Sequence, residues 1–252
     1  MNKPRELFAR YLEQRAELSE APFILEHPVT EQSHMPEPAW LKDAPAIPPA
    51  GITIPAPDKD LFTDDPLARL DLDGIAQRVH SCDRCVLSET RNKAVPGEGP
   101  VDAQLVVVGE GPGATEDETG RPFVGRAGEL LTEILTAIDL PREQVHICNV
   151  VKCRPPSNRK PSPEEMQACV PYLYRQLEII SPKVILAMGG TAAETLLNTR
   201  QSLGGMRNKV HEFRGIPLIV TYHPAALLRN PHWKKPTWDD VRIARQLVAR
   251  HT

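Results

Sequence analysis

Four cysteines, Cys82, Cys85, Cys153 and Cys169, carry the first chemically suggestive spacing in this chain of 252 residues. Cys82-x2-Cys85 is a short clip that offers two thiolates to one centre. Cys153 and Cys169 lie far downstream with fifteen residues between them. Zinc ribbons and fingers close with a second tight Cys or His pair, and no such pair follows here. Four thiolates at irregular spacing suit a four-cysteine iron–sulfur cluster, with zinc or unrelated buried thiols as the alternatives. The fifth cysteine, Cys148, falls inside an apolar run and reads as a small core residue.

A second set consists of Glu110, Asn149 and His223, a carboxylate, a carboxamide and an imidazole near the ends of three apolar runs. Glu110 follows the run 104–109 within Gly109-Glu110-Gly111-Pro112-Gly113, Asn149 lies in the run 145–151, and His223 precedes Pro224 after the run 218–222. Singly, each has an ordinary structural reading: a turn cap, a partner for backbone groups, a turn residue before proline. If the runs are parallel strands, ligands bind outside their carboxyl ends and the three side chains converge on one crevice. The glycine-rich turn does not fit a dinucleotide site. Ala114 replaces the third glycine of G-x-G-x-x-G, Pro112 removes a backbone donor, and no phosphate-loop lysine follows.

The elements that must position these residues alternate along the chain. Strands are expected at 104–109, 145–151, 183–188 and 218–222. Between them, Leu130, Leu131, Ile134, Leu135 and Ile138 mark an amphipathic helix. Ser162-Pro163-Glu164-Glu165 is a capping box opening a helix with Met166, Val170, Leu173, Leu177 and Ile180 on one face. Further helices are expected at 70–80, delivering the Cys82/Cys85 clip, at 191–197, and at the C-terminus, with Thr237 as its cap and Val241, Ala244 and Val248 inward. This alternation predicts an α/β fold: three layers, α/β/α, around a central, mainly parallel four-stranded sheet. Upstream, residues 1–20 read as an N-terminal helix, with Leu7, Phe8, Tyr11, Leu12 and Ala16 as its stripe. Residues 21–66 read as a disordered linker with nine prolines between Pro22 and Pro57, and 67–252 as the folded domain.

Composition narrows the function classes. With 40% hydrophobic and 25% charged residues, the chain can bury one good-sized core. It has no apolar run near membrane-spanning length and no signal-peptide pattern, so a cytoplasmic place without membrane association is expected. Reduced thiols fit that compartment. The net charge of −3 hides an uneven distribution: residues 200–252 hold ten Lys and Arg against three Asp and Glu. A basic C-terminal fifth is compatible with a phosphate-backbone partner.

Together these segments resemble the family 4 uracil-DNA glycosylases. The first active-site motif of that family is similar to Gly109-Glu110-Gly111-Pro112-Gly113, Glu116-Asp117 and Gly120-Arg121-Pro122-Phe123-Val124-Gly125. Asn149-Val150-Val151-Lys152-Cys153-Arg154-Pro155-Pro156 resembles its second strand, and His223-Pro224-Ala225-Ala226-Leu227-Leu228-Arg229-Asn230-Pro231 its third motif. The likeness spans about residues 75–250, and the cysteines fall where that family holds a 4Fe–4S cluster. It implies hydrolysis of the deoxyuridine N-glycosidic bond in single- or double-stranded uracil-containing DNA, by a monomer located with the nucleoid if prokaryotic. The catalytic residues would be Glu110, favouring the cationic sugar and orienting water, His223, stabilising the departing uracil, and Asn149. Gly111, Pro112, Glu116 and Phe123 would complete the uracil pocket, with Asp117 ordering the loop. Leu227 and Leu228 would wedge into the DNA beside Arg229, which holds phosphate. Cys82, Cys85, Cys153 and Cys169 would ligate the cluster, and the N-terminal helix is a candidate contact for another protein.

Four other readings compete. A relative of this family traps uracil-DNA covalently, but no insertion lies between Lys152 and Pro163, and Gly111 stands where that relative carries glutamine. Family 5 enzymes leave the Glu110 position apolar. A non-catalytic cluster-bearing nucleic-acid-binding module has no use for Glu110, and a zinc-stabilised nucleotide-binding protein would be colourless where a cluster protein is brown.

Overall fold

Four short apolar runs supply the contiguous parallel part of the sheet, because strands covered on both faces need no polar alternation. The computed structural model describes residues 37–57 and 66–250, and those from Pro38 onward belong to one compact unit. Its strands are β1 (Ala50–Ile54), β2 (Leu105–Gly109), β3 (His146–Asn149), β4 (Val184–Met188), β5 (Val210–Phe213) and β6 (Ile216–Thr221). Their order in the sheet is β1-β5-β6-β4-β2-β3. The expected four, β6-β4-β2-β3, are parallel neighbours, while β5 is antiparallel to β6 and parallel to β1.

The sheet therefore has six strands, not four. β5 was missed because its short sequence Val-His-Glu-Phe carries little apolar signal. It turns into β6 through Arg214 and Gly215, at φ 52° and 83°, the positive pair that a tight hairpin with right-handed twist requires. β1 lies inside the stretch expected to be a disordered linker, and here the expectation is corrected. The prolines flank this strand without interrupting it. Its partners are side chains remote in sequence: His211 Nδ1 accepts from the Ile52 amide at 2.9 Å, and its Nε2 donates to the Met206 carbonyl at 2.6 Å. Upstream of β1, Trp40 is buried beneath the Arg245 guanidinium, and Arg242 and Gln246 donate to the carbonyls of Lys42, Asp43 and Pro45. The predicted N-terminal helix and linker residues 21–36 and 58–65 lie outside the described residues.

Helices cover both faces. One layer contains α1 (Leu72–His80), α4 (Pro163–Ile180) and α5 (Gly190–Leu197), packed with Val106, Val108, Ile185 and Ala187. The other contains α3 (Arg126–Ala137) and α8 (Lys234–Arg250), packed with Leu105, Val107, Leu186 and Ile219. Alternate residues of each strand thus feed opposite cores. The short helices α2 (Ala114–Thr119), α6 (Leu203–Met206) and α7 (Pro224–Arg229) fill the connections. Ser162 and Glu165 form the expected capping box of α4. Thr237 is not a cap: α8 begins at Lys234, and the buried Thr237 hydroxyl donates to the Trp233 carbonyl at 2.9 Å. Among the described residues no helix is long and apolar enough to cross a membrane.

Candidate active site

β2, β3, β4 and β6 all deliver their carboxyl ends to one edge, and a cleft of about 740 Å³ opens there. Backbone pairing continues past the strands, with the Val150 and Val151 amides donating to the Gly109 and Glu110 carbonyls at 2.9 and 3.1 Å. That extension holds the Glu110 loop beside Asn149. Glu110, Gly111, Pro112, Glu116, Phe123, Asn149 and His223 all line the cleft, with Arg229 at the same opening.

Asn149 is buried, and its carboxamide oxygen has no hydrogen-bond partner among the described residues. Its peptide carbonyl accepts from the Lys152 ammonium at 2.9 Å. Lys152 also donates to the Gln176 side chain at 2.6 Å, and Gln176 donates to the Pro96 carbonyl at 2.8 Å. This fully buried lysine was not identified from the sequence, where it reads as one more basic residue of a loop. Phe123 sits over the same spot with φ 50°, a left-handed backbone uncommon for an aromatic residue. Arg142 holds that conformation by donating to the carbonyls of Phe123, at 2.8 Å, and Pro122, while its guanidinium pairs with Glu98 at 2.6 Å. The Phe123 ring stacks on the His223 imidazole with centroids 5.4 Å apart.

Glu110 receives a hydrogen bond from the hydroxyl of Thr191, a buried residue in the first turn of α5. The bond joins loops from two neighbouring strands and fixes the carboxylate. His223 caps α7, its Nδ1 accepting from the Ala225 amide at 3.2 Å. Nδ1 is therefore unprotonated, and the ring proton resides on Nε2, available as a donor. Burial, and then the nearby Arg229 charge, push the His223 pKa down to about 4, so the ring is neutral at physiological pH.

A carboxylate, a buried unpaired carboxamide and a neutral imidazole donor around one aromatic face are the means of binding a planar polar ring and polarising it. The family model of the uracil DNA glycosylase superfamily matches residues 96–244. The "Type-4 uracil-DNA glycosylase" of Thermotoga maritima is 51% identical over 180 residues, covering 70% of this chain and 94% of the relative. That of Archaeoglobus fulgidus is 43% identical over 187 residues, 71% of this chain and 94% of the relative. The chain belongs to the type-4 uracil-DNA glycosylase family. A "Type-5 uracil-DNA glycosylase" of Thermus thermophilus is 34% identical over 155 residues, 52% of this chain and 68% of the relative.

Within this type-4 glycosylase family member, two acids of α2 have structural duties. The Glu116 carboxylate accepts from three backbone amides, Gly113 at 3.1 Å, Val124 at 2.9 Å and Gly125 at 3.0 Å. It lines the cleft while tying the Glu110 loop to the Phe123 loop. Asp117, buried, accepts from the Asn92 amide and side chain at 2.9 and 2.7 Å, the loop-ordering role expected of it. The expectation for the leucine pair is corrected in part: Leu227 is buried to 1% exposure where α7 meets α3, whereas Leu228 is exposed to 41% beside the exposed Arg229. Of the two, Leu228 is the one open to solvent.

Cys82, Cys85, Cys153 and Cys169 border a second, small pocket between α1 and α4. Lys152 contributes here as well, its amide donating to Cys169 Sγ at 3.2 Å while Arg91 donates to Cys153 Sγ at 3.1 Å. Burial pushes the Cys169 thiol up to about 12 and raises that of Cys153. Among the described residues no three His, Cys, Asp or Glu side chains are grouped to hold a single metal ion. Cys148 faces the core and is fully buried, as expected.

Proposed function

We propose that this protein hydrolyses the N-glycosidic bond of deoxyuridine in DNA, releasing uracil and leaving an abasic site. The observation that carries the reading is the Asn149 carboxamide oxygen, a buried acceptor left without a partner among the described residues. A buried polar atom is normally satisfied, and here the missing donor matches uracil N3–H. The carboxamide amine then faces uracil O4. Cytosine presents the reverse polarity at both positions, so the site rejects it, by about 10⁴-fold on the scale of buried hydrogen-bond mismatches.

The base must leave the helix to enter the cleft. Leu228 fills the gap and Arg229 holds phosphate, the basic C-terminal region adding to the attraction. Phe123 stacks on the extruded ring, contributing about 1–3 kcal/mol. Cleavage places positive charge on the sugar and negative charge on the departing uracil. The His223 Nε2–H stabilises the anion at O2, and Glu110, held by Thr191, stabilises the oxocarbenium-like sugar and orients the attacking water.

The second pocket supports a 4Fe–4S cluster held by Cys82, Cys85, Cys153 and Cys169. Four thiols line one space, two of them already hydrogen-bonded at sulfur, and they are the donor set of a four-cysteine cluster. The cluster would supply structural bracing: Cys153 and Cys169 flank Lys152, which holds the Asn149 peptide. Brown colour with broad visible absorbance lost on iron chelation is expected; a colourless zinc protein overturns it.

The activity is tested by incubating the protein with oligonucleotides carrying one uracil, cytosine or thymine, followed by alkali. Strand cleavage at uracil alone is expected. Binding without cleavage favours the non-catalytic reading.

A further inference from the structure

The uracil pocket uses only part of the cleft. A volume of about 740 Å³ falls in the ~300–1,000 Å³ range of sites that enclose drug-sized ligands, and one pyrimidine fills a small fraction of it. The remaining wall includes Tyr222 and Trp233, which the proposed chemistry does not employ. Their rings stack face to face, centroids 4.6 Å apart and planes within 7°. Beneath Tyr222 lies the Arg207 guanidinium, 4.5 Å from the ring centroid and locked by Asp240 at 2.8 Å in an almost fully buried ion pair. His232 meets the Trp233 ring edge-on at 5.9 Å. The column is thus anchored at its base, and Trp233, half-buried at the cleft wall, is its free end.

The surroundings suit a nucleic-acid strand. Residues 229–235 include Arg229, His232, Lys234 and Lys235 with no acidic residue, and these four are exposed. Tyr222 precedes His223 directly, so the aromatic column begins one residue from the group assigned to the uracil anion. A rigid aromatic surface beside a basic strip is the arrangement that stacks bases of single strands.

We propose that Trp233 stacks a nucleobase flanking the extruded uracil, forming a second base-binding subsite. This rests on the uracil-DNA reading above. Extrusion deprives the neighbouring base of one stacking partner, and Trp233 replaces it. In a duplex the neighbour remains paired and stacked on its other side, so the subsite matters most for single-stranded DNA.

The test combines Trp233→Ala and Trp233→Phe with single-stranded oligonucleotides whose deoxyuridine is flanked by normal bases or by one abasic residue on either side. Trp233→Ala is expected to raise KM about tenfold on the normal strand, mainly sparing kcat, with Trp233→Phe much closer to wild type. One abasic neighbour is expected to raise the wild-type KM about tenfold and leave that of Trp233→Ala unchanged. Equal losses in both proteins overturn the subsite. A parallel anisotropy measurement uses the same strands carrying 2′-fluorodeoxyuridine, which resists cleavage. About tenfold weaker binding by Trp233→Ala supports stacking, and equal binding overturns it. Absence of uracil release by the wild type would refute the glycosylase reading, and the anisotropy result then decides the subsite independently.

Discussion

The Asn149 carboxamide oxygen lies so close to the Gly109 backbone that a Cβ on residue 109 would stand 2.4 Å from it and 2.6 Å from the Phe123 ring. Neither neighbour can retreat, since Asn149 is held at the end of β3 and Phe123 by Arg142. Gly109→Ala is therefore expected to displace the recognition groups and lower kcat/KM for uracil release about 10²-fold, the effect of roughly 1 Å misplacement. Overpacking should also cost about 1–3 kcal/mol in denaturant unfolding. Steady-state kinetics on a uracil oligonucleotide, beside urea melts, measure both.

Arg142 and Arg121 share the partner Glu98 but differ in what else they hold. Arg121 is an exposed ion-pair partner, 63% accessible, while Arg142 is 13% accessible and clamps the Phe123 carbonyl. Arg142→Met should lower kcat/KM about 10- to 100-fold by releasing the stacking ring. Arg121→Met should change stability and activity little.

The two leucines of α7 separate cleanly. Leu227→Ala should destabilise the fold by about 2–5 kcal/mol through a core cavity. Leu228→Ala should leave stability within about 0.5 kcal/mol and slow release from double-stranded more than from single-stranded DNA. Thermal melts and paired assays on the two substrates distinguish these roles.

These contrasts mark what was legible from residues alone. The central strands, the α4 cap and the convergence of Glu110, Asn149 and His223 followed from apolar runs and from where parallel strands end. β1 was hidden because its order comes from His211 and its neighbouring loop's from Arg242, Arg245 and Gln246, all more than 150 residues away. Thr191 and Arg142 were missed because each acts on a site residue from another element, and Lys152 because a basic residue in a loop sequence does not reveal its burial against Gln176. Glu116 lines the cleft, but one motif cannot reveal the three amides its carboxylate also serves.

The pH response should carry an unusual signature. His223 and His146 are both pushed down to about 4, first by burial and then by nearby cations. In the unfolded chain they titrate near ~6.5. Between those values the unfolded state binds protons that the folded state refuses, so stability is full above about pH 6.5 and falls as pH drops towards 4. Uracil release, needing only neutral His223, should show no inflection near 6.5. A single-turnover pH–rate profile and melts across the same range check both.

In the proposed reaction Glu110 acts on the sugar of a uracil nucleotide that Asn149 and His223 have already captured. Single-turnover release by wild type and Glu110→Gln, with affinity for a 2′-fluorodeoxyuridine strand measured on both, tests this directly. A fall of about 10³-fold in release with affinity retained within about threefold is the predicted result. Undiminished release by Glu110→Gln would contradict it.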